Sequence, residues 1–168
     1  MEQIRIKTEE KQIKSCAFTG HRVIEKDFSP KTLWDSIEML IKAGVTDFYN
    51  GMAQGFDLLA AEATLMLKKQ YPQVRLIACI PCYHQEKNYT DTDKARYAAI
   101  LQKADEKILL SENYFRGCML VRNKYMVDKA DVLIAYQNHE KGGAAYTVKY
   151  CLKKYPEKEI IYVNKTAF

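Results

Sequence analysis

Asn50-Gly51-Met52-Ala53-Gln54-Gly55-Phe56-Asp57 is the stretch of this 168-residue sequence with the clearest chemical potential. It lies between two apolar runs, Val45–Tyr49 and Leu58–Leu67, and so reads as a strand, a glycine turn and a helix. Such a turn aims backbone N–H groups and the positive end of a helix dipole at one spot, which favours a phosphate or carboxylate. Gly51 and Gly55 either let the backbone approach a ligand or serve a tight turn sterically. Asp57 has two open roles, capping the helix or accepting from a ribose hydroxyl. Glu62, inside the apolar helix, needs a partner for its charge, and Arg22 and Arg122 are the candidates.

Other chemistry-bearing residues stand at the ends of apolar runs. Thr19-Gly20-His21-Arg22 closes the run from Ser15 to Phe18. His21 and Arg22 either meet a phosphate, the arginine by paired hydrogen bonds, or serve the loop and a surface acid. Gly142-Gly143 opens a helix that carries Thr147, a residue that contacts a ligand or bonds back to its own helix. Arg122 and Asn123 either close a pocket or tie their helix to a loop. Tyr83 and Gln85 either stack on and hydrogen-bond a base or pack their own loop. Cys79-Ile80-Pro81-Cys82 with His84 has the spacing of a redox or zinc motif. No helical period follows the first cysteine and no second Cys/His pair exists, so buried strand cysteines are expected and no metal.

The elements that must position these residues alternate. Ser29-Pro30 caps a helix whose Leu33, Ile37, Leu40 and Ile41 share one face, closed by Ala43-Gly44. Strands are expected over Val74–Ile80, Lys107–Leu110, Ala130–Tyr136 and Ile160–Val163. Helices are expected over Thr92–Ala104, Cys118–Lys129 and Ala144–Tyr155, with Pro81–Tyr89 an ordered loop. Residues 1–13 read as an edge strand or a loose arm. The alternation predicts an α/β fold, a Rossmann-like, doubly wound, mostly parallel sheet with helices on both faces, in a single domain over 1–168. Ligands of such sheets sit beyond the carboxyl ends of the strands, where Thr19–Arg22, Asn50–Asp57, Pro81–Gln85, Ser111–Tyr114 and Gln137–Gly143 would converge.

Composition narrows the class. The chain is 48% hydrophobic and 28% charged, which suits one core of this size. No apolar run reaches the length of a bilayer span and the start lacks a signal peptide, so a cytoplasmic protein without a membrane partner is expected. Five scattered cysteines suggest reduced thiols rather than a disulfide framework. A net charge of +5 with pI near 8.8 stops short of a dedicated nucleic-acid binder, and the sequence shows no aromatic–basic interleaving. Nucleic acid is therefore the less favoured partner, and homo-oligomerisation stays open.

Cys16–Arg22, Gly51–Glu62, Ile80-Pro81-Cys82 with Gln85, Arg122-Asn123 with Met126-Val127-Asp128, and Gly142-Gly143 with Thr147 together resemble the YpsA-like family of bacterial proteins. The resemblance runs in order from about Ser15 onward. It implies membership of the SLOG superfamily of Rossmann-like nucleotide-binding domains, beside DNA-processing protein A and the "lonely guy" phosphoribohydrolases. A nucleotide ligand follows from that resemblance, a nucleoside monophosphate or an ADP-ribose or NAD-like molecule, bound by a sensor or regulatory protein without a cofactor of its own. The implied contacts are Thr19, Gly20, His21, Arg22, Gly51, Gly55, Asp57, Arg122, Asn123, Gly142, Gly143 and Thr147. The alternatives are an N-glycosidic-bond hydrolase and a single-stranded DNA or protein-partner module. For the hydrolase, Lys149 stands where the phosphoribohydrolases carry glutamate, so Glu62 or Asp57 would have to be the catalytic carboxylate.

Overall fold

The computed structural model describes residues 12–165. Strand and helix alternate along it: β1 (Ser15–Gly20), α1 (Pro30–Lys42), β2 (Asp47–Asn50), α2 (Phe56–Lys68), β3 (Arg75–Ile80), α3 (Asp91–Lys103), β4 (Glu106–Leu109), α4 (Cys118–Lys129), β5 (Val132–Tyr136), α5 (Gly143–Lys154) and β6 (Ile160–Tyr162). The loop expected over Pro81–Tyr89 holds one 3-10 turn, Gln85–Asn88. The arm or edge strand expected over residues 1–13 lies outside the described residues except for Gln12 and Ile13, which form no strand. Ile13 rests on the core beneath α1.

The six strands pair in parallel in the order β4-β3-β2-β1-β5-β6. The chain steps outward from β1 to β4, then crosses back to β5 on the other side of β1. Right-handed crossovers in opposite directions place helices on opposite faces. The apolar contacts follow that division. Cys16 and Phe18 of β1, with Val132, Ile134 and Tyr136 of β5, pack under α1 and α2, while Leu76 and Ala78 of β3 pack under α2 and α3. The alternate residues Ala17, Ile77, Cys79, Leu133 and Ala135 pack under α4 and α5. This is the doubly wound layout expected, and it places the switch point between β1 and β5.

Local signals explain the helices that frame that point. The Ser29 hydroxyl accepts from the Thr32 N–H at 3.1 Å, Pro30 fills the first turn, and Leu33, Ile37, Leu40 and Ile41 are buried. Each of those side chains contributes roughly 1.5–3 kcal/mol by leaving water. Helix α2 buries residues on several faces because α1 and α3 flank it over the sheet. The edge strand β4 is mostly exposed, whereas β5 is buried throughout and β1 up to Thr19, as central parallel strands are.

Candidate functional site

Beyond the carboxyl ends of β1 and β5 lies a cavity of about 370 Å³. It gathers Thr19, Gly20, His21 and Arg22 from the end of β1, Asp57 from α2, Arg122 and Asn123 from α4, and Gly142 and Gly143 from the start of α5. Nine of the residues singled out in the sequence thus share one wall-to-wall space. Gly51, Gly55 and Thr147 stand behind it, and Glu62 stands elsewhere.

The turn from β2 to α2 closes on itself. The Asn50 carboxamide accepts from Met52 N–H and donates to the Asp57 carbonyl, both at 2.8 Å, and Asp57 Oδ2 accepts from Ala53 N–H at 3.2 Å. Amides that the sequence offered to a phosphate are therefore spent on neighbouring side chains. The glycines here make room for protein. A Cβ on Gly51 would lie 2.7 Å from the Arg122 guanidinium, and one on Gly55, which holds φ +80°, would lie 2.1 Å from the Arg22 carbonyl oxygen. At Gly20 a Cβ would come within 2.3 Å of the Phe56 ring.

The start of α5 is different. Gly142 holds φ +97° and no side chain caps the helix, so its first-turn amides face the cavity with the positive end of the dipole behind them. A one-way relay fixes this end. Arg122 Nε donates to Asn123 Oδ1 at 2.8 Å, Asn123 Nδ2 donates to Thr147 Oγ1 at 3.1 Å, and Thr147 Oγ1 donates to the Gly143 carbonyl at 2.7 Å. Thr147 and Asn123 thereby hold α4 against the α5 terminus.

Two charged groups are buried at the base of the cavity. Arg122 donates through Nη1 to the carbonyls of Gly51 and Cys79, and burial works against its charge while Asp57 supports it. Asp57 Oδ1 is buried with no hydrogen-bond partner among the described residues. Burial pushes its carboxyl up to about 6, against the pull of Arg122, the Ala53 N–H and Arg22. His21 is also buried, its Nε2 unpartnered among the described residues and its ring stacked 3.7 Å from that of His139. Burial and then His139 lower its pKa, with Asp27 opposing, which favours the neutral imidazole. Arg22 is exposed at the mouth, and its side chain makes no hydrogen bond or ion pair with another described residue.

Glu62 has a partner, but neither of those expected. Arg96 of α3 donates to it through Nε at 2.9 Å and through Nη2, in a groove between α2 and α3 that the cavity does not reach. Gln85 donates to the Gly51 carbonyl and the Tyr97 hydroxyl, both at 3.2 Å, so it braces its loop. Tyr83 remains 58% exposed. All five cysteines are buried free thiols, and burial drives Cys79 up to about 12, far from a reactive thiolate. Among the described residues no group of three or more His, Cys, Asp or Glu is placed to hold a metal, and no helix is long and apolar enough to cross a membrane. His139 was not singled out by its local sequence. Its signal was position, in a strand-end loop that the topology brings opposite His21.

Comparison with known proteins agrees with this architecture. Over 92 residues the chain is 33% identical to the UPF0398 protein YpsA of Bacillus subtilis, a stretch covering 54% of this chain and 51% of that protein. Over 138 residues it is 28% identical to a UPF0398 protein of Halalkalibacterium halodurans, covering 80% and 72% of the two chains. DNA processing protein A from Helicobacter pylori, whose structure describes a single-stranded DNA binding mode, superposes with TM-score 0.64 at 23% identity. That match covers 90% of this chain and 65% of the other, and speaks for the fold alone. The chain spans about half the length of YpsA. Residues 19–166, which hold every residue of the cavity, match the YspA SLOG family, and the chain belongs to it.

Proposed function

We propose that the cavity between β1 and β5 binds a nucleotide or nucleotide-derived small molecule, with phosphate on the α5 terminus and a ribose hydroxyl on Asp57, in a sensor or regulatory protein. The observation that carries this reading is the unpartnered, buried Asp57 Oδ1 in the same cavity as the uncapped α5 amides. An anion alone satisfies the amides and leaves the carboxylate oxygen without a donor. A phosphorylated sugar satisfies both. Arg22 and Arg122 supply the cationic field, and the helix terminus adds about 0.3–1 kcal/mol per charge, up to ~2 where partly buried.

The N-glycosidic hydrolase is the second reading, favoured by one observation: a cavity carboxyl pushed up to about 6 is poised to exchange a proton near neutrality. Asp57 would be its acid or nucleophile, since Glu62 is engaged with Arg96. The DNA binding described for the Helicobacter pylori relative, carried to this chain, would weaken steeply with salt as counterions are released. A mononucleotide held in a cavity of this size would be far less sensitive.

The test is a thermal-shift series with ribose 5-phosphate, AMP, ADP-ribose and NAD on the wild type, Arg22→Ala and Gly143→Asp, with product analysis of each hit. A Cβ on Gly143 meets nothing nearer than Asn123 Nδ2 at 3.9 Å, so a side chain can start there without a clash and Gly143→Asp brings a negative charge to the α5 terminus. A ligand at one hundred times its Kd stabilises by about 2.7 kcal/mol, or roughly 5–10 °C in a chain of this size. The shift should vanish in Gly143→Asp and shrink in Arg22→Ala. Intact ligand supports the sensor and cleaved ligand the hydrolase, and no shift with any probe refutes the small-nucleotide reading.

A further inference from the structure

The groove between α2 and α3 holds about 1020 Å³ and shares no lining residue with the cavity beyond β1 and β5. Its floor is apolar, with Leu65 and Met66 from α2 and Ala95 and Ala99 from α3, and Met66 is 53% exposed. The outward face of a surface helix is ordinarily polar or charged, yet α3 exposes Ala95, Ala98 and Ala99 there. The two ends of the groove carry opposite signs. Helices α2 and α3 both follow strands of one parallel sheet, so they run the same way and their N-termini share an end. Asp91 and Asp93 stand in the first turn of α3, whereas Lys103 closes it and Lys68 and Lys69 close α2. Asp93 is held by Arg96 and Gln54, and Lys68 by Asp105. Asp91, Lys69 and Lys103 make no ion pair with another described residue.

We propose that this groove is the interface between two copies of the chain, packed antiparallel about a two-fold axis that crosses α3 at the level of Tyr97. In that register α3 of each copy lies in the groove of the other, Ala95 faces Ala99 of the second copy, and Asp91 faces its Lys103. Every contact then occurs twice, as an isologous interface requires. Small side chains at the crossing allow the close end of the roughly 8–10 Å range of helix separations. Over the 13 residues of α3 the two charges stand about 18 Å apart, so the ion pairs form a rim on either side of the apolar centre. A foreign helix of one sign would be held at one end of the groove and repelled at the other. The complement of a groove that is acidic at one end and basic at the other is the same groove reversed, and reversal also sets each helix terminus beside one of opposite dipole.

Sedimentation equilibrium at low ionic strength tests the assignment on the wild type, on Ala99→Glu, on Lys103→Glu and Asp91→Lys separately, and on an equimolar mixture of those two charge variants. The wild type should dimerise. Ala99→Glu puts a carboxylate into the apolar centre and should weaken the dimer at least about tenfold. Each charge variant alone meets like charge at both rim contacts and should also weaken it at least about tenfold. In the mixture both contacts join opposite charges again, so association should return to within about threefold of the wild type, which also shows that both variants are folded. A wild type that stays monomeric at millimolar concentration would overturn the proposal and leave the groove to a partner of different sequence. A dimer that any of the single variants leaves intact, or charge variants that mixing does not rescue, would overturn it by moving the interface to another face.

Discussion

Replacing Asp57 with asparagine should stabilise the protein at neutral pH while weakening its ligand site. Burial raises the carboxyl from its ordinary value of 3.8 to about 6, so between those limits the folded protein holds more protons than the unfolded chain. The contribution of this group to stability therefore falls as pH rises from about 4 to about 6, and stays at its lowest above that. A shift of about two pH units corresponds to about 3 kcal/mol. The asparagine would carry no charge to bury and recovers that cost, which already nets the attraction to Arg122, less about 1–1.5 kcal/mol for the altered hydrogen bonding of an amide facing Ala53 N–H. The net is a gain of about 1–2 kcal/mol at pH 8, or roughly 3–6 °C in Tm, shrinking toward zero or a small loss near pH 4.5. Urea unfolding of both proteins from pH 4.5 to 8 measures this directly, because every other titrating group cancels in the difference. Parallel stability curves across that range would refute the reasoning.

Three further outcomes separate packing from binding. Gly20→Ala should lower stability by about 1–3 kcal/mol through its clash with Phe56, read as a drop in Tm; an unchanged Tm would mean the ring yields freely. Glu62→Gln should leave ligand affinity within twofold and cost less than about 1 kcal/mol, since the pair with Arg96 is 43% and 29% exposed; a tenfold loss of binding or turnover would return Glu62 to the site. Arg22→Ala should leave Tm within about 1 °C without ligand and weaken phosphate binding about tenfold or more by titration, whereas equal affinity would place the phosphate elsewhere.

The elements were legible because central parallel strands read as unbroken apolar runs, as in Cys16–Phe18 and Val132–Tyr136, between glycine and proline punctuation. The rim residues were legible for the same reason: His21 and Arg22 come just after the first of these runs, and Gly142-Gly143 close the loop that follows the second. Strand order was not, since nothing local to Gly20 or Gly143 says that β5 returns to lie beside β1. What each glycine accommodates was hidden too. The space at Gly20 belongs to Phe56 and that at Gly51 to Arg122, both decided by packing across long sequence separations. The partner of Glu62 depended on which helix lies beside α2, and α3 supplies Arg96 there.

The place of β1 in the sheet also sets the order in which the molecule can be assembled. One edge of β1 is covered by β2, about thirty residues later, but the other waits for β5, with Ser15 meeting Asp131 across 116 positions. At synthesis rates of about 5–20 residues per second, that edge stays open for roughly 6–23 s on the ribosome. An apolar strand with a bare edge is a template for wrong pairings. A nascent chain stopped before β5 would therefore be sticky and would lack the His139–Ala144 side of its cavity, so β5 seals the sheet and the start of α5 completes the site.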